Sequence, residues 1–290
     1  MSALAPEAKT ITSFGRTPLL RRRLPFSADI AVSAGILGLL VLACFAGPAV
    51  LRIPGPNAGA LTGAYLRPGA AGHLLGTDNL GNDLLSRALF GGRTSLEVGV
   101  GCILIGVIVG GVLGVVSGYR GGLVDTVVMR FLDMLLAFPS LILALCIATY
   151  LGPKEQNVIF AIAFFSVPAN ARIIRSATLK IRDSNFVAAA RFSGRSERSI
   201  MLRHIVPNVL PPLMTFALLG VAIVILVESS LSFLGAGIPL PQPSWGNMIS
   251  TGEPYLSSDP WLVLVPAAFL FLTVLNLNLL GDALRSRWEV

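Results

Sequence analysis

Charged residues are scarce in this chain: they make up 13% of its 290 residues, against 54% apolar residues. A soluble domain carries about 25% charged residues, so this composition excludes an ordinary soluble protein. Cysteine is equally scarce, with three residues in all. Because Cys44, Cys102 and Cys146 fall inside long apolar runs without metal-ligand spacing, we expect them to be small packing residues, and neither a disulfide framework nor a zinc site.

Catalytic motifs are also missing. The sequence has no nucleophile beside a general base, no nucleotide-binding loop and no metal-ligand cluster. It therefore predicts no catalytic, cofactor-binding or metal-binding residue and no enzyme activity. The two histidines, His73 and His204, are isolated and are not expected to act as ligands or bases. The net charge of +7 could indicate a nucleic-acid partner, but the distribution of the basic residues indicates a membrane protein instead.

Six long apolar runs follow one another along the chain, each close to the ~20 residues that a helix needs to cross a bilayer. They cover about 29–50, 95–117, 124–150, 157–176, 209–234 and 261–281. The pattern predicts an all-α protein of six transmembrane helices in a lipid bilayer. We divide the chain into an N-terminal segment (1–27), a first helix with its extracytoplasmic segment (28–93) and a five-helix transmembrane domain (94–290).

Lysine and arginine are distributed unequally among the connections. If the N-terminus is cytoplasmic, only Arg52, Arg67, Arg87, Arg93 and Lys154 of the 22 basic residues fall on the opposite side. Cytoplasmic loops are enriched in lysine and arginine, and this bias sets the orientation of membrane proteins. The sequence therefore predicts that both termini are cytoplasmic.

Glycine is concentrated in the second apolar run, where Gly106, Gly110, Gly114 and Gly118 recur every four residues. This spacing places them on one helix face. A face without side chains lets two helices approach closely. We interpret it either as a static packing surface or as a surface that shears during a conformational cycle, and the two roles are compatible.

Ionisable residues within membrane spans are functional candidates by default. Glu228 lies toward the outer end of the fifth run without a partner nearby in the sequence, so a role in a transport pathway or gate is open. Arg130 and Asp133 are three residues apart and are expected to pair with each other. Asn278 and Asp282, four residues apart in the sixth run, are likewise expected to interact locally.

A basic, glycine-interrupted insert separates the fourth and fifth runs and reads FVAAARFSGRSERSIMLRHIVPNVLPP over residues 186–212. It is compatible with two short helices that meet at Gly194, since a residue without Cβ can take a positive φ. Ala189 and Ala190 leave a shallow surface on which a neighbouring protein can lie. Pro207 is expected to end the insert, because proline disfavours helix at the residue before it.

These residues resemble a known family. The pattern AAxxxG from Ala189 to Gly194, followed by RHIVPN over 203–208, resembles the coupling loop of ABC importer permeases. The segments HLLGTDNLGNDLLSR, GYRGGLVDTVVMRFLDMLLAFPSLILAL, ESSLSFLGAGIPLPQPSWGNM and LNLLGDALR extend the resemblance over about 24–287. The chain is similar to the dipeptide, oligopeptide and nickel permeases, in particular to the subunit type with a short outside loop.

The resemblance implies a coupling loop at about 178–208 that contacts a partner ATPase. Its expected coupling residues are Ala189, Ala190, Arg191, Gly194, Arg203, His204 and Pro207. Ala188 stands where the family usually has an acidic residue, so a salt bridge from that position is not expected. The implied assembly contains a paralogous permease subunit, two ABC ATPase subunits that bind ATP and Mg²⁺, and an extracytoplasmic solute-binding protein, all at a bacterial inner membrane.

The implied function is import of di- or oligopeptides through a pathway of which this chain forms half. Import of a nickel chelate or another small solute by the same machinery is an alternative. A secondary transporter independent of ATP is a weaker one, because the sequence has no row of intramembrane acids for ion coupling. A membrane-anchored sensor or assembly protein would lack transport altogether.

Overall fold

A computed structural model describes residues 26–70 and 72–288, so most of the predicted N-terminal segment lies outside the described residues. The described chain is built from helices joined by turns. They are α1 (Phe26–Phe45), α2 (Gly47–Val50), α3 (Leu84–Arg120), α4 (Gly122–Leu136), α5 (Ser140–Leu151), α6 (Glu155–Arg182), α7 (Asn185–Phe192), α8 (Glu197–Ile200), a π-helical turn (Met201–Ile205), α9 (Val206–Phe233), α10 (Trp245–Gly252) and α11 (Trp261–Trp288), with 3-10 turns at Leu61–Gly63 and Glu253–Tyr255.

Four helices are long and apolar enough to cross a membrane: α3, α6, α11 and the continuous helix Glu197–Phe233, which joins α8 to α9 through the π-helical turn. The bent pair α4–α5 would be a fifth span, and α1 supplies a shorter apolar helix, Ile30–Phe45. The predicted all-helical membrane class is thereby confirmed for the described residues. The predicted boundaries need correction in three places.

The second predicted span is longer than expected. The helix α3 begins at Leu84 rather than at about 95, and it runs unbroken to Arg120. Its N-cap is Asp83, whose Oδ2 accepts a hydrogen bond from the Ser86 backbone N–H at 2.8 Å. A capping carboxylate stabilises the first turn of a helix. Leu84 is buried within the protein, so this first turn is part of the core.

The third predicted span, 124–150, is not a single helix. The helix breaks between α4 and α5 at residues 137–139, where the chain bends by 83°. The cause lies in Pro139, which has no N–H for the helical ladder and disfavours helical backbone at Phe138. After the bend, the first residues of α5 are exposed, and the helix packs against the bundle through the buried Ala144 and Ala148.

The third correction concerns Pro207, which does not end the insert. Val206 is helical, with φ −53° and ψ −48°, and Pro207 lies in the first turn of α9. The helical ladder is already irregular there, because the Val206 N–H donates to the Met201 carbonyl oxygen five residues back, so the missing N–H of Pro207 is accommodated. The π-helical turn before it carries the helix past the proline without a break.

The glycine face of α3 packs directly on α6, as predicted. A Cβ at Gly110 would lie 2.5 Å from the Val167 carbonyl oxygen, and a Cβ at Gly114 would lie 2.5 Å from the Ala171 carbonyl oxygen. Such distances are well inside van der Waals contact, so only glycine allows the two backbones to lie this close. The α3–α6 pair forms the centre of the bundle.

Two ion pairs join α6 to α4, and they differ from the predicted local pairing. Asp125 accepts two hydrogen bonds from the guanidinium of Arg175, each 2.5 Å long. Asp133 contacts Arg172 at 2.5 Å rather than Arg130. The prediction of an Arg130–Asp133 pair is wrong because α6 lies beside α4 and offers these carboxylates arginines from across the interface.

The remaining local predictions have mixed outcomes. The Asn278 amide donates to the Val274 carbonyl oxygen at 2.9 Å, so it bonds its own helix rather than Asp282. Cys44 and Cys102 are buried packing residues, as expected, whereas Cys146 is exposed on α5. The described helices also carry many exposed large apolar side chains, for example Leu39, Ile108 and Phe271, in addition to their buried core. A lipid environment allows apolar residues on both the inner and the outer faces of a helix bundle.

The segments after α2 and α9 meet at one end of the bundle. The Trp245 side chain is fully buried there, and its Nε1 donates to the Ala88 carbonyl oxygen at 2.9 Å. The rings of Tyr65 and Tyr255 lie 5.2 Å apart. A hydrogen bond with Tyr255 is the main factor that raises the pKa of Tyr65 to about 12. These contacts close one end, and the insert that contains α7 and α8 occupies the other.

Candidate functional site

The insert forms a helix–turn–helix whose turn is built on Gly194, as predicted. Gly194 has φ +72°. Its N–H donates to the Arg191 carbonyl oxygen at 2.9 Å, and the Arg195 N–H donates to the Ala190 carbonyl oxygen at 3.3 Å. This pair of bonds is the Schellman motif, which ends α7 and reverses the chain. The Ser196 side chain then caps α8 by accepting a hydrogen bond from the Ser199 N–H.

The two predicted coupling alanines differ in exposure. Ala189 is exposed, whereas Ala190 is only 7% exposed and belongs to an apolar cluster with Val187, Ile200 and Ile205. Successive residues of a helix point about 100° apart, so one can face outward while the next packs inward. The prediction that both alanines offer a shallow exposed surface is therefore wrong for Ala190, which instead holds α7 against the bundle.

The exposed face of α7 carries apolar side chains on either side of Ala189. Phe186 is half-exposed, and Phe192 is 92% exposed. Spacings of three residues place these three side chains along one face of the helix. A contiguous exposed apolar face outside the membrane-spanning helices indicates a protein contact. Sequence reasoning missed the two phenylalanines, although their spacing around Ala189 was visible.

Tyr119 anchors the insert to the end of α3. Its hydroxyl donates to the carboxylate of Glu197 at the start of α8. The guanidinium of Arg191 lies over the Tyr119 ring, 5.3 Å from the centroid. A hydrogen bond with Tyr119 is also the main factor that raises the pKa of Arg191. One tyrosine therefore connects both short helices to α3. The sequence offered no signal for this contact, because its partners are 78 residues apart.

The second half of the predicted coupling motif lies on the π-helical turn and the start of α9. Arg203 and Pro207 are exposed. His204 is partly buried, with its ring centroid 6.4 Å from that of Phe186. The Asn208 side chain donates to the His204 carbonyl oxygen at 2.7 Å. This half of the motif therefore combines two exposed residues with a histidine that packs against α7.

Glu228 lies at the opposite end of α9 and is fully buried. Its carboxylate accepts hydrogen bonds from Ser95 at 3.1 Å, from Ser232 at 2.6 Å and from Ser229 at 3.4 Å. Ser95 also accepts a hydrogen bond from the Trp245 backbone N–H at 3.3 Å. The carboxylate is thus the centre of a serine network that joins α3, α9 and α10, and its most distant partner was not predictable from sequence.

A cavity of about 480 Å³ lies between α3, α5, α6 and α9. Its walls are almost entirely apolar, and Ser140, Ser166 and Asn170 provide its few polar side chains. The Asn170 amide donates to the Ser166 carbonyl oxygen at 2.8 Å. Val227 lines the cavity, but the neighbouring Glu228 does not. The bent pair α4–α5 contributes both Leu136 and Ser140, so the bend at Pro139 shapes this wall.

Metal ligation has no candidate site in 26–70 and 72–288, where no three His, Cys, Asp or Glu side chains come together. The geometry instead offers three features: an exposed apolar helix face at one end, a buried carboxylate near the other, and an apolar cavity between them.

Comparison with known proteins places these features in a family context. Residues 110–290 match the model described as binding-protein-dependent transport system inner membrane component. The chain is 40% identical to the dipeptide transport system permease protein DppC of Alkalihalophilus pseudofirmus over 216 aligned residues. The alignment covers 74% of this chain and 71% of that protein. It is 35% identical over 284 residues to the probable D,D-dipeptide transport system permease protein DdpC of Escherichia coli, covering 98% and 94%.

A solved structure has a similar fold. A chain of the MetNI methionine ABC transporter, captured in inward-facing conformations, superposes with a TM-score of 0.56. The match covers 68% of this chain and 94% of that chain, at 19% sequence identity. This similarity concerns the helical fold alone.

Proposed function

We propose that this chain, which belongs to the family of binding-protein-dependent transport system inner membrane components, is one of two different permease subunits of an ATP-driven peptide importer. The proposal for peptides is supported by relatives named as dipeptide permeases. The single observation that carries the mechanism is the α7–Gly194–α8 unit, because it joins an exposed contact face to the centre of the helix bundle.

In this mechanism a partner ATPase binds the exposed face of α7 around Ala189. Movement of α7 passes to α3 through two contacts, the Arg191–Tyr119 stacking and the Tyr119–Glu197 hydrogen bond. The buried Ala190 side chain keeps α7 in register with the bundle. Two ATPase subunits would bind ATP and Mg²⁺, and hydrolysis there would alternate this chain and its paralogous partner between inward-open and outward-open states.

The proposed topology has six spans and both termini in the cytoplasm of a bacterial cell, with the chain in the inner membrane. It is supported by the charge bias and by the positions of the connections at the two ends of the bundle. Topology reporters fused after Lys180 and after Arg285 should then give cytoplasmic signals. Reporters at Gly59 and Ser257 should give extracytoplasmic ones. An extracytoplasmic signal after Lys180 would overturn both the topology and the coupling proposal.

The apolar cavity is proposed as this chain's part of the translocation pathway, to which a solute-binding protein delivers the peptide from outside. Apolar walls with few fixed charges suit a solute whose side chains vary. We further propose a role in the gate for Glu228, since it adjoins Val227 in the cavity wall and holds the outer segments together. The Glu228→Gln variant should keep the complex assembled and reduce ATP-dependent uptake; wild-type uptake would refute this role.

The decisive experiment compares two glycines that have positive φ at opposite ends of the bundle. Gly194 and Gly235 have φ of +72° and +81°, and a Cβ at either would meet open space. A valine at each position therefore introduces similar backbone strain. In the complex reconstituted in liposomes with its partner subunits, Gly194→Val should uncouple ATP hydrolysis from uptake or release the ATPase, while Gly235→Val should keep coupling.

Two results would contradict the coupling proposal: equal coupling in the two glycine variants, or retention of coupling in an Ala189→Trp variant. The same reconstitution discriminates the alternatives. Uptake by this chain without ATP or partners would indicate a secondary transporter, and competition by a nickel chelate rather than by peptides would identify a different solute.

A further inference from the structure

A second apolar groove, of about 440 Å³, lies on the outer surface of the bundle between α3 and the α8–α9 helix. It is separate from the proposed pathway, because the lining residues of the two cavities do not overlap. Its floor is formed partly by Ile174 of α6. Ile108, Val112, Leu202 and Leu210 line the groove and are exposed, so its walls are accessible from outside this chain.

The α3 wall of the groove is a stripe of residues four apart: Ile108, Val112 and Val116. Val112 is 61% exposed within the chain. The next position on this stripe, one turn toward the insert, is the exposed Arg120. Residues at this spacing lie on one helix face. The α3 wall is therefore apolar along its length, and Arg120 lies one turn beyond its last lining residue, Val116.

The α8–α9 wall has the same pattern in reverse chain order. Leu202, Val206 and Leu210 line the groove, and Leu202 is 69% exposed. Arg198 lines the groove at the end nearest the insert. Its acidic neighbour Glu197 accepts a hydrogen bond from Tyr119, so that carboxylate is already engaged inside the protein. Arg198 thus lines the groove at this end, and Arg120 lies at the same end, one turn beyond the last lining residue of α3 and next to Tyr119, which bonds Glu197.

The dimensions of the groove match one leaflet of a bilayer. From Ile108 to Arg120 an α-helix rises about 18 Å, close to half of the ~30 Å hydrocarbon thickness. A transmembrane helix of another subunit would need a groove about twice as long. An acyl chain with a charged headgroup at one end fits both the length and the charge distribution.

We propose that this groove binds an anionic phospholipid, with one acyl chain along the apolar walls and the phosphate between Arg120 and Arg198. Basic pockets between membrane helices on the cytoplasmic side bind anionic headgroups in this way. Placement in the inner leaflet of the membrane rests on the proposed topology. Binding itself does not, since it needs neither ATP nor partner subunits.

The test uses the full chain, reconstituted in vesicles of brominated phosphatidylglycerol or brominated phosphatidylcholine, and the fluorescence of a Val112→Trp variant. Val112 lies two turns, or about 12 Å, from Arg120, at the depth of mid-chain bromine atoms. Quenching of the native tryptophans is measured on the unsubstituted chain and subtracted. The remaining quenching of Trp fluorescence at position 112, compared between the two kinds of vesicle, gives the relative affinity of the groove for the two lipids. Both lipids have a phosphate, but phosphatidylglycerol carries a net negative charge whereas the choline of phosphatidylcholine neutralises it. We therefore expect a preference for phosphatidylglycerol of about fivefold for each arginine beside the headgroup.

The matched comparison adds Arg120→Gln and Arg198→Gln to the reporter, and the control adds Arg52→Gln and Arg67→Gln. Both pairs remove two positive charges, but the control pair is exposed at the other end of the bundle. The Arg120→Gln, Arg198→Gln double variant should bind the two lipids about equally. The Arg52→Gln, Arg67→Gln control should keep the preference for phosphatidylglycerol. Equal preferences in the two double variants would overturn the proposal.

Two further outcomes are informative. If neither lipid quenches the reporter fluorescence of the Val112→Trp variant, protein fills the groove, either residues 1–25 of this chain or another chain, and the lipid proposal fails. If the groove variants do not fold, the single variants Arg120→Gln and Arg198→Gln are compared in the same assay, and each should lose part of the preference. A failure of peptide transport would leave all these readouts unchanged, so the two proposals fail independently.

Discussion

A single methyl group on the glycine face of α3 should be enough to loosen the centre of the bundle. In Gly110→Ala the new Cβ would lie 2.5 Å from the Val167 carbonyl oxygen. The obstacle is backbone rather than a flexible side chain, so no rotamer change can relieve it. To reach an ordinary contact, α3 and α6 would have to separate locally by about 1 Å. Gly114→Ala meets the same obstacle at the Ala171 carbonyl oxygen.

The expected cost is worked out against a matched glycine on the same helix. At Gly101 a Cβ would lie 3.5 Å from Ile159 Cδ1, an ordinary contact. Every Gly→Ala substitution within a helix gains up to about 1 kcal/mol of helix propensity, so this gain cancels in the comparison. What remains is the cost of overpacking, about 1–3 kcal/mol. Gly110→Ala should therefore be less stable than Gly101→Ala by that amount.

The measurement is the free energy of unfolding of the purified full chain in mixed micelles, titrated with a denaturing detergent and followed by helical circular dichroism. Gly114→Ala provides an independent repeat of the Gly110→Ala result, one turn further along the interface. If Gly101→Ala, Gly110→Ala and Gly114→Ala agree within about 0.5 kcal/mol, the close backbone approach does not limit stability and the reasoning fails.

Two further predictions use the same unfolding assay. Glu228→Leu removes the acceptor of three serine hydroxyls and should cost about 1–3 kcal/mol more than Glu228→Gln, which keeps polar atoms in the network; equal stabilities would show that the serines find other partners. Asp125→Asn should cost about 1 kcal/mol, because it weakens a partly buried pair with Arg175, whereas Asp133→Asn, in an exposed pair, should change stability by about 0.5 kcal/mol or less. A larger effect at Asp133 would contradict this order.

Much of the fold could be predicted because the bilayer core contains no water to hydrogen-bond the backbone. A span must satisfy its backbone internally, so long apolar runs have few structures available other than helices. The spacing of Gly106 and Gly110 likewise predicted a packing face, since a four-residue repeat is a property of the helix itself. The turn at Gly194 was predictable for the same local reason: a helix that ends in the left-handed region favours glycine.

Proline shows where local reasoning stops. Pro168 and Pro266 lie within continuous helices, whereas Pro139 coincides with the break between α4 and α5. The residue type is the same in all three, so the presence of a proline does not by itself decide whether a helix breaks. The sequence alone predicted a break at Pro207, where the structure has none, and a continuous helix through Pro139, where the chain bends.

The sequence by itself determined the helical class, the glycine face and the turn of the insert, because each depends on residues within one or two helical turns. The tertiary structure decided which residues meet across helices: Asp125 with Arg175, Tyr119 with Glu197, and Glu228 with Ser95. These partners are separated by 50 to 133 residues. Their contacts arise from helix packing, which fixes side-chain directions that no local spacing encodes.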